Sequence, residues 1–141
     1  MLDLTKNWKK VIDSLYKGIM VIDTDGAIWH VNPAFERLTG FGADELMGNT
    51  CTMLACSCCE PWYGQEGFWC MLFGSGLAIK PMTCRINGKS GHPLNVIKQA
   101  SILRNAKGDM VGAVETIWKM DDLKQSISAN CCSGNSSGFF P

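Results

Sequence analysis

The chain has no net charge to offer a partner: 13 Lys and Arg are matched by 13 Asp and Glu in 141 residues. Counterion release from a phosphate backbone needs clustered positive charge, so no direct contact with nucleic acid is expected. Long apolar runs are missing as well. The longest near the front, Ile19-Met20-Val21-Ile22, has the length of a strand and falls far short of the ~18 residues of a membrane-spanning helix. Residues 1–10 lack the basic start and following apolar stretch of a secretory signal, which points to a cytoplasmic chain without a membrane segment. Catalytic signatures are absent too: there is no Gly-rich phosphate loop, no paired His-Glu motif on a helix and no nucleophile elbow. Asp23 and Asp25 read as turn formers rather than as an acid/base pair. No catalytic residue is named, and the expectation is a protein that is not an enzyme. Charged residues are few, at 18% against a typical ~25%, and that scarcity excludes disorder over most of the length.

What is present is the patterning of one α+β domain. Trp8, Val11, Ile12 and Leu15 recur at i, i+3, i+4 and i+7 with lysines and Asp13 between them, which predicts an amphipathic N-terminal helix within residues 1–17. Periodicity names a buried face without naming its cover, so the stripe packs either on the chain's own sheet or on a second copy. Apolar runs at 19–23 and 27–32 meet through Asp25-Gly26, a hairpin signal. Pro33 starts a short helix that Gly40 ends, and residues 43–48 form one more helical turn. Residues 49–81 are irregular, with Phe68, Met71 and Leu72 at helical spacing. Strands return at 82–87, 93–103 and 110–118, a last helix opens at Asp121, and the Ser/Gly/Asn-rich residues 128–141 read as a mobile tail. This is a five-stranded antiparallel sheet with helices inserted between strands 2 and 3.

These residues carry a family signature. Gly18-Ile19-Met20-Val21-Ile22-Asp23 with Asp25-Gly26, then Val31-Asn32-Pro33-Ala34-Phe35-Glu36 with Leu38-Thr39-Gly40-Phe41, then Glu45-Leu46 with Gly48, resemble a PAS domain. Gly91, Pro93-Leu94, Leu103-Arg104-Asn105, Gly108 and Gly112 continue the match, which divides the chain into a helix at 1–17, a PAS domain at 18–122, and a helix start and tail at 123–141. The cysteine-rich region together with Gly112-Ala113-Val114-Glu115-Thr116 is similar to a cysteine-bearing subgroup found in bacterial sensor histidine kinases and enhancer-binding transcriptional activators. The resemblance implies a sensory module whose terminal helices pass its state to a kinase or transcription activator in cis or in trans. A homodimer through the N-terminal helix is expected from the apolar stripe. The alternative is a PAS-fold dimerisation module that binds no cofactor and uses its cysteines for core packing. No such effector lies within these 141 residues, so an excised or stand-alone domain is expected. Ile117-Trp118-Lys119-Met120-Asp121 replaces the family's usual Asp-Ile-Thr-like exit from the last strand.

Cysteine is the unusual residue, at eight positions, fewer than the ~8–10% of a disulfide scaffold. A reducing compartment favours thiols, metal ligands or redox sensors over structural disulfides. Cys56-Ser57-Cys58-Cys59 contains a Cys-x-x-Cys, so Cys56 and Cys59 can reach one ion, and Cys51, Cys70 and Cys84 can complete a thiolate site for zinc or an iron–sulfur cluster. A reversible Cys56–Cys59 disulfide is the second reading, and small buried apolar packing the third. Cys131 and Cys132 belong to the tail and to no site. Flavin is disfavoured: Cys51 falls near the reactive cysteine of light-sensing PAS relatives, but Thr50-Cys51-Thr52-Met53-Leu54-Ala55 supplies none of the polar groups a flavin edge needs. Haem is disfavoured because His30, beside Trp29 in a strand, and His92, in a turn, read as ordinary surface or strand histidines.

Overall fold

A computed structural model of the chain describes residues 2–58 and 71–120. Phe68, the helix expected from Asp121 and the tail at 128–141 lie outside these residues. The first element is α1 (Leu4–Asp13), started by Asp3, whose side chain accepts a hydrogen bond from Thr5 N at 3.0 Å. Strands β1 (Gly18–Asp23) and β2 (Ile28–Val31) follow, then helices α2 (Pro33–Thr39) and α3 (Ala43–Leu46) and a 3-10 helix at Cys51–Leu54. After α4 (Met71–Ser75) come β3 (Ile79–Asn87), β4 (Pro93–Arg104) and β5 (Met110–Lys119). The strands form one sheet in the order β2-β1-β5-β4-β3, with every neighbouring pair antiparallel. The expected α+β architecture, with helices inserted between the second and third strands, is the observed one.

Local chemistry explains the boundaries. Asn32 caps α2 with its side-chain oxygen on Phe35 N at 3.0 Å, Pro33 needs no partner at the first helical position, and Gly40 ends the helix at φ +81°. Asn32 is fully buried and does more than cap. Its oxygen also accepts from Ile19 N at 2.8 Å, and its amide donates to Ile12 O at 3.0 Å and Lys17 O at 2.9 Å. One side chain thereby ties α1, β1 and α2 together. Strand β3 begins earlier than the pattern predicts and runs through Pro81. Its place at the sheet edge and a register shift between Ile79 and Met82 accommodate a residue with no N–H to donate.

One face of the sheet supports the core. Met20 and Ile22 of β1, Ile28 and Val31 of β2, Cys84 and Ile86 of β3, Val96 and Ala100 of β4, and Ala113 and Ile117 of β5 meet Phe35, Leu46, Leu54 and Leu72 from the helical side. Alternation predicts that one of Trp29 and His30 turns inward, and neither reaches this core. A bulge pairs Val21 with His30 and Ile22 with Ile28, so Trp29 is the extra residue and stands exposed, its Nε1 donating to Asp23 at 2.9 Å. His30 lies on the outer side, edge-on to Trp8 and 3.0 Å from Asp13. No residue of α1 is buried, Ile12 is half-buried, and Trp8, Val11 and Leu15 expose 39%, 49% and 44% of their surface, so the chain's own sheet covers the apolar stripe only in part. No helix among the described residues is long and apolar enough to cross a membrane.

Candidate functional site

Residues 56–58 are docked on β3 by a two-bond clamp. Ser57 N donates to Arg85 O at 2.9 Å, and Arg85 N donates to Ser57 Oγ at 2.9 Å. Ala55, at φ +49°, ends the 3-10 helix and turns the chain toward that strand. With Ser57 held against Arg85, the cysteines on either side of it converge on Cys84, the strand residue just before Arg85. The sulfurs of Cys56, Cys58 and Cys84 lie within 4.8 Å of one another. Cys56 and Cys84 are buried, with their Sγ atoms 3.4 Å apart, and Cys58 is half-buried. All three are thiols, as is Cys51.

Beside the thiols lies a buried ion pair. Lys98 Nζ of β4 is 2.7 Å from Glu115 Oε1 of β5, and each side chain is only 3% exposed. The same ammonium donates to Cys56 Sγ at 3.5 Å. Val96, Lys98 and Ala100 alternate onto the core face of β4, as Ala113, Glu115 and Ile117 do on β5, so the two charges occupy inward positions of neighbouring strands. A polar line therefore crosses the core face: Cys84, Cys56, Lys98, Glu115.

This setting raises the pKa values of Cys58 and Cys84. The hydrogen bond to Cys56 pushes Cys84 far above the usual thiol range, with burial and the charges that Cys56 and Cys58 would carry adding to it. Burial is also the largest cause at Cys58, followed by Cys56, and the opposing pull of Cys84 and Lys98 does not cancel them. Cys58 and Cys84 are protonated at neutral pH, and Cys56 is the sulfur that meets the ammonium. Three soft sulfurs at this spacing can ligate a thiophilic ion. Cys56 and Cys84 can also close from 3.4 Å to the ~2.05 Å of a disulfide.

The sequence-predicted residues distribute unevenly. Cys56 and Cys84 come together. Cys51 is half-buried in the 3-10 helix against the core and is not one of the three converging sulfurs. Cys59 and Cys70 lie outside the described residues. The set predicted from spacing omits Cys58, because Cys-x-x-Cys spacing favours Cys59 over Cys58, while docking on a strand lets alternate residues reach the same sulfur. Lys98 and Glu115 were also missed. Their signal was legible as opposite charges at the inward positions of two apolar strands. His30 pairs with Asp13 outside the core, and His92 is exposed in its turn.

Comparison with known proteins places the fold. The PAS fold family model matches residues 6–58. Among solved structures, the PAS domain of a protein from Colwellia psychrerythraea superposes with a TM-score of 0.63 at 20% identity, covering 84% of this chain and 98% of that one. The PAS domain of nitrogen regulation protein NR(II) from Vibrio parahaemolyticus gives 0.60 at 18%, covering 79% and 96%. A PAS domain from a two-component sensor histidine kinase gives 0.63 at 12%, covering 82% and 95%. Likeness at such identities speaks to fold, and the cysteines are a matter for this chain's own chemistry.

Proposed function

We propose that this chain, which has the PAS fold, is a sensory module whose input is the chemical state of its buried thiols and whose output is the activity of an attached or partner histidine kinase or transcription activator. The observation that carries the reading is the convergence of Cys56, Cys58 and Cys84 beside the Lys98–Glu115 pair. Metal binding turns these thiols into thiolates, and oxidation by peroxide joins two of them in a neutral disulfide as the peroxide becomes water, so Lys98 meets either a new charge or a displaced sulfur at Cys56. Lys98 and Glu115 sit on β4 and β5, the two central strands nearest the cluster. A shift in their pairing is transmitted through packed strands rather than absorbed, because close-packed interiors deform in discrete steps. Strand β5 leads to the C-terminal exit, and its neighbour β1 follows α1. The module acts by binding and conformational bias, not by turnover, in the cytoplasm.

The resemblance of kinase PAS domains in fold supports the effector class. The partly exposed stripe of Trp8, Val11 and Leu15 supports a homodimer formed through α1. The test is hydrogen exchange on the full chain, comparing anaerobically reduced protein with protein treated with hydrogen peroxide or cadmium. Protection in α1 and the end of β5 changes with thiol state, and the change is lost in Cys56→Ser. Equal protection at both ends in every state overturns the sensory reading. Light scattering of Trp8→Glu tests the dimer, which falls to monomer if α1 is the contact.

A further inference from the structure

We infer that Cys56, Cys58 and Cys84 are a preformed three-sulfur site for one soft, thiophilic cation, with no fourth ligand from the described residues. The chemistry deepens the sensory reading and relies on it only for its use.

Geometry is the first argument. An ion bound at about 2.3 Å to each of three sulfurs holds them about 3.8–4.0 Å apart. The observed sulfurs lie close to that spacing, at 3.4 Å for Cys56–Cys84 and all within 4.8 Å of one another. The site does not have to be gathered by the ion, because the Ser57–Arg85 clamp already sets the approach of residues 56–58 to β3. Preorganisation of this kind lowers the ordering cost of binding.

The donor set is the second argument. Three sulfurs, with one backbone carbonyl, Thr83 O, 4.0 Å from Cys58 Sγ, select soft ions over magnesium and calcium, which demand a shell of oxygens. Among the described residues, no histidine or carboxylate joins the cluster. Glu115 is engaged by Lys98, whose Nζ also faces Cys56 Sγ. Cys56 and Cys84 are buried, while Cys58 is half-buried and supplies the path for entry.

Charge is the third. Three thiolates neutralise a trivalent metalloid, and around a divalent ion they leave one negative charge, which the Lys98 ammonium faces. Two probes separate these cases without any redox step. Arsenite enters as As(OH)3, forming three As–S bonds as each thiol proton leaves on a hydroxide as water. Cadmium enters as Cd2+ and releases the three thiol protons to solvent.

The experiment uses anaerobic, reduced full-length chain in three arms: cadmium chloride, arsenite and magnesium chloride as the hard-ion control. Bound ion per chain is measured after gel filtration, together with the near-ultraviolet sulfur-to-metal absorption and the number of thiols open to a thiol reagent. A chain in which Cys51, Cys59, Cys70, Cys131 and Cys132 are all changed to Ser keeps one cadmium or arsenic per molecule, protects three thiols and ignores magnesium. Adding Cys84→Ser weakens binding more than about a hundredfold, beyond the 10–100-fold that loss of an outer partner produces. If the five-serine chain does not fold, single changes in the full chain decide: Cys56→Ser, Cys58→Ser and Cys84→Ser each lose binding, while Cys51→Ser keeps it. Failure of the reduced, unaltered chain to bind either ion overturns the site, as does binding that survives Cys84→Ser or disappears in a folded five-serine chain. A chain that binds no ion yet changes hydrogen exchange on oxidation loses this site and keeps the sensory reading. A chain that binds through the three sulfurs with unchanged exchange does the reverse.

Discussion

Replacing Lys98 with methionine keeps an unbranched side chain one atom shorter and removes its charge, leaving the Glu115 carboxylate 3% exposed with its 2.7 Å partner gone. Breaking a buried pair from one side costs about 3–5 kcal/mol, because the remaining charge is uncompensated. For a domain of this size that is a melting temperature lower by roughly 10–20 °C. It is also a large part of the ~5–15 kcal/mol that holds a typical domain folded. Glu115→Leu alone carries a penalty of the same order, since the ammonium then has Cys56 Sγ at 3.5 Å in place of a carboxylate. The double change, Lys98→Met with Glu115→Leu, removes both charges and both desolvation penalties, so it is expected to lie near the unaltered protein or up to about 4 kcal/mol above it. Urea unfolding at pH 7 under reducing conditions measures all four proteins. The cycle should return a coupling of several kcal/mol. Additive single costs, or singles that each cost under about 1 kcal/mol, would refute the reasoning and show that the pair is solvated in solution.

Three further outcomes follow from other sites. Asn32→Ala strips four hydrogen bonds from a fully buried position, and should cost about 2–4 kcal/mol in urea while speeding hydrogen exchange in α1; a loss under 1 kcal/mol contradicts its role as a tether. Gly112→Ala places a Cβ against the carbonyl oxygen of Ile22 across the β1–β5 pair, so thermal unfolding should register roughly 1–3 kcal/mol of strain. At Asp23, burial pushes the carboxyl up, but hydrogen bonds from Trp29, Ala27, Asp25 and Gly26 outweigh it and hold the pKa below its ordinary 3.8. Because the folded pKa is the lower one, its stabilisation is full above 3.8 and fades as pH falls through the folded value. The stability gap between the protein and Asp23→Asn should therefore be constant near neutrality and narrow in acid, and a gap that widens in acid reverses the sign.

Local features were legible because they depend on neighbours in the chain. Asp25-Gly26 makes its turn, Asn32-Pro33 starts its helix and Gly40 stops it through bonds spanning four residues or fewer, so the residue types alone announce them. The strands of the inner face follow from alternation for the same reason. Strand β3 was harder. Pro81 is a strand breaker in the middle of a sheet and harmless at its edge, and edge position is a property of the whole sheet. Trp29 and His30 broke the alternation rule at a bulge that only the pairing with β1 creates.

The sequence by itself determined that this is an α+β domain of PAS-like pattern with cysteines gathered in its helical insert, since periodicity, turn chemistry and composition are local. Only the tertiary structure decided which of those cysteines meet. Cys84 lies 28 residues from Cys56 along the chain, and Lys98 lies 42 away, and their contact depends on the register of β3 with β4 and on the clamp between Ser57 and Arg85. A register fixes every cross-strand neighbour at once, and a shift of one residue would turn Cys84 and Lys98 away from the core face. The chemistry of the site therefore belongs to the sheet, and its ingredients to the sequence.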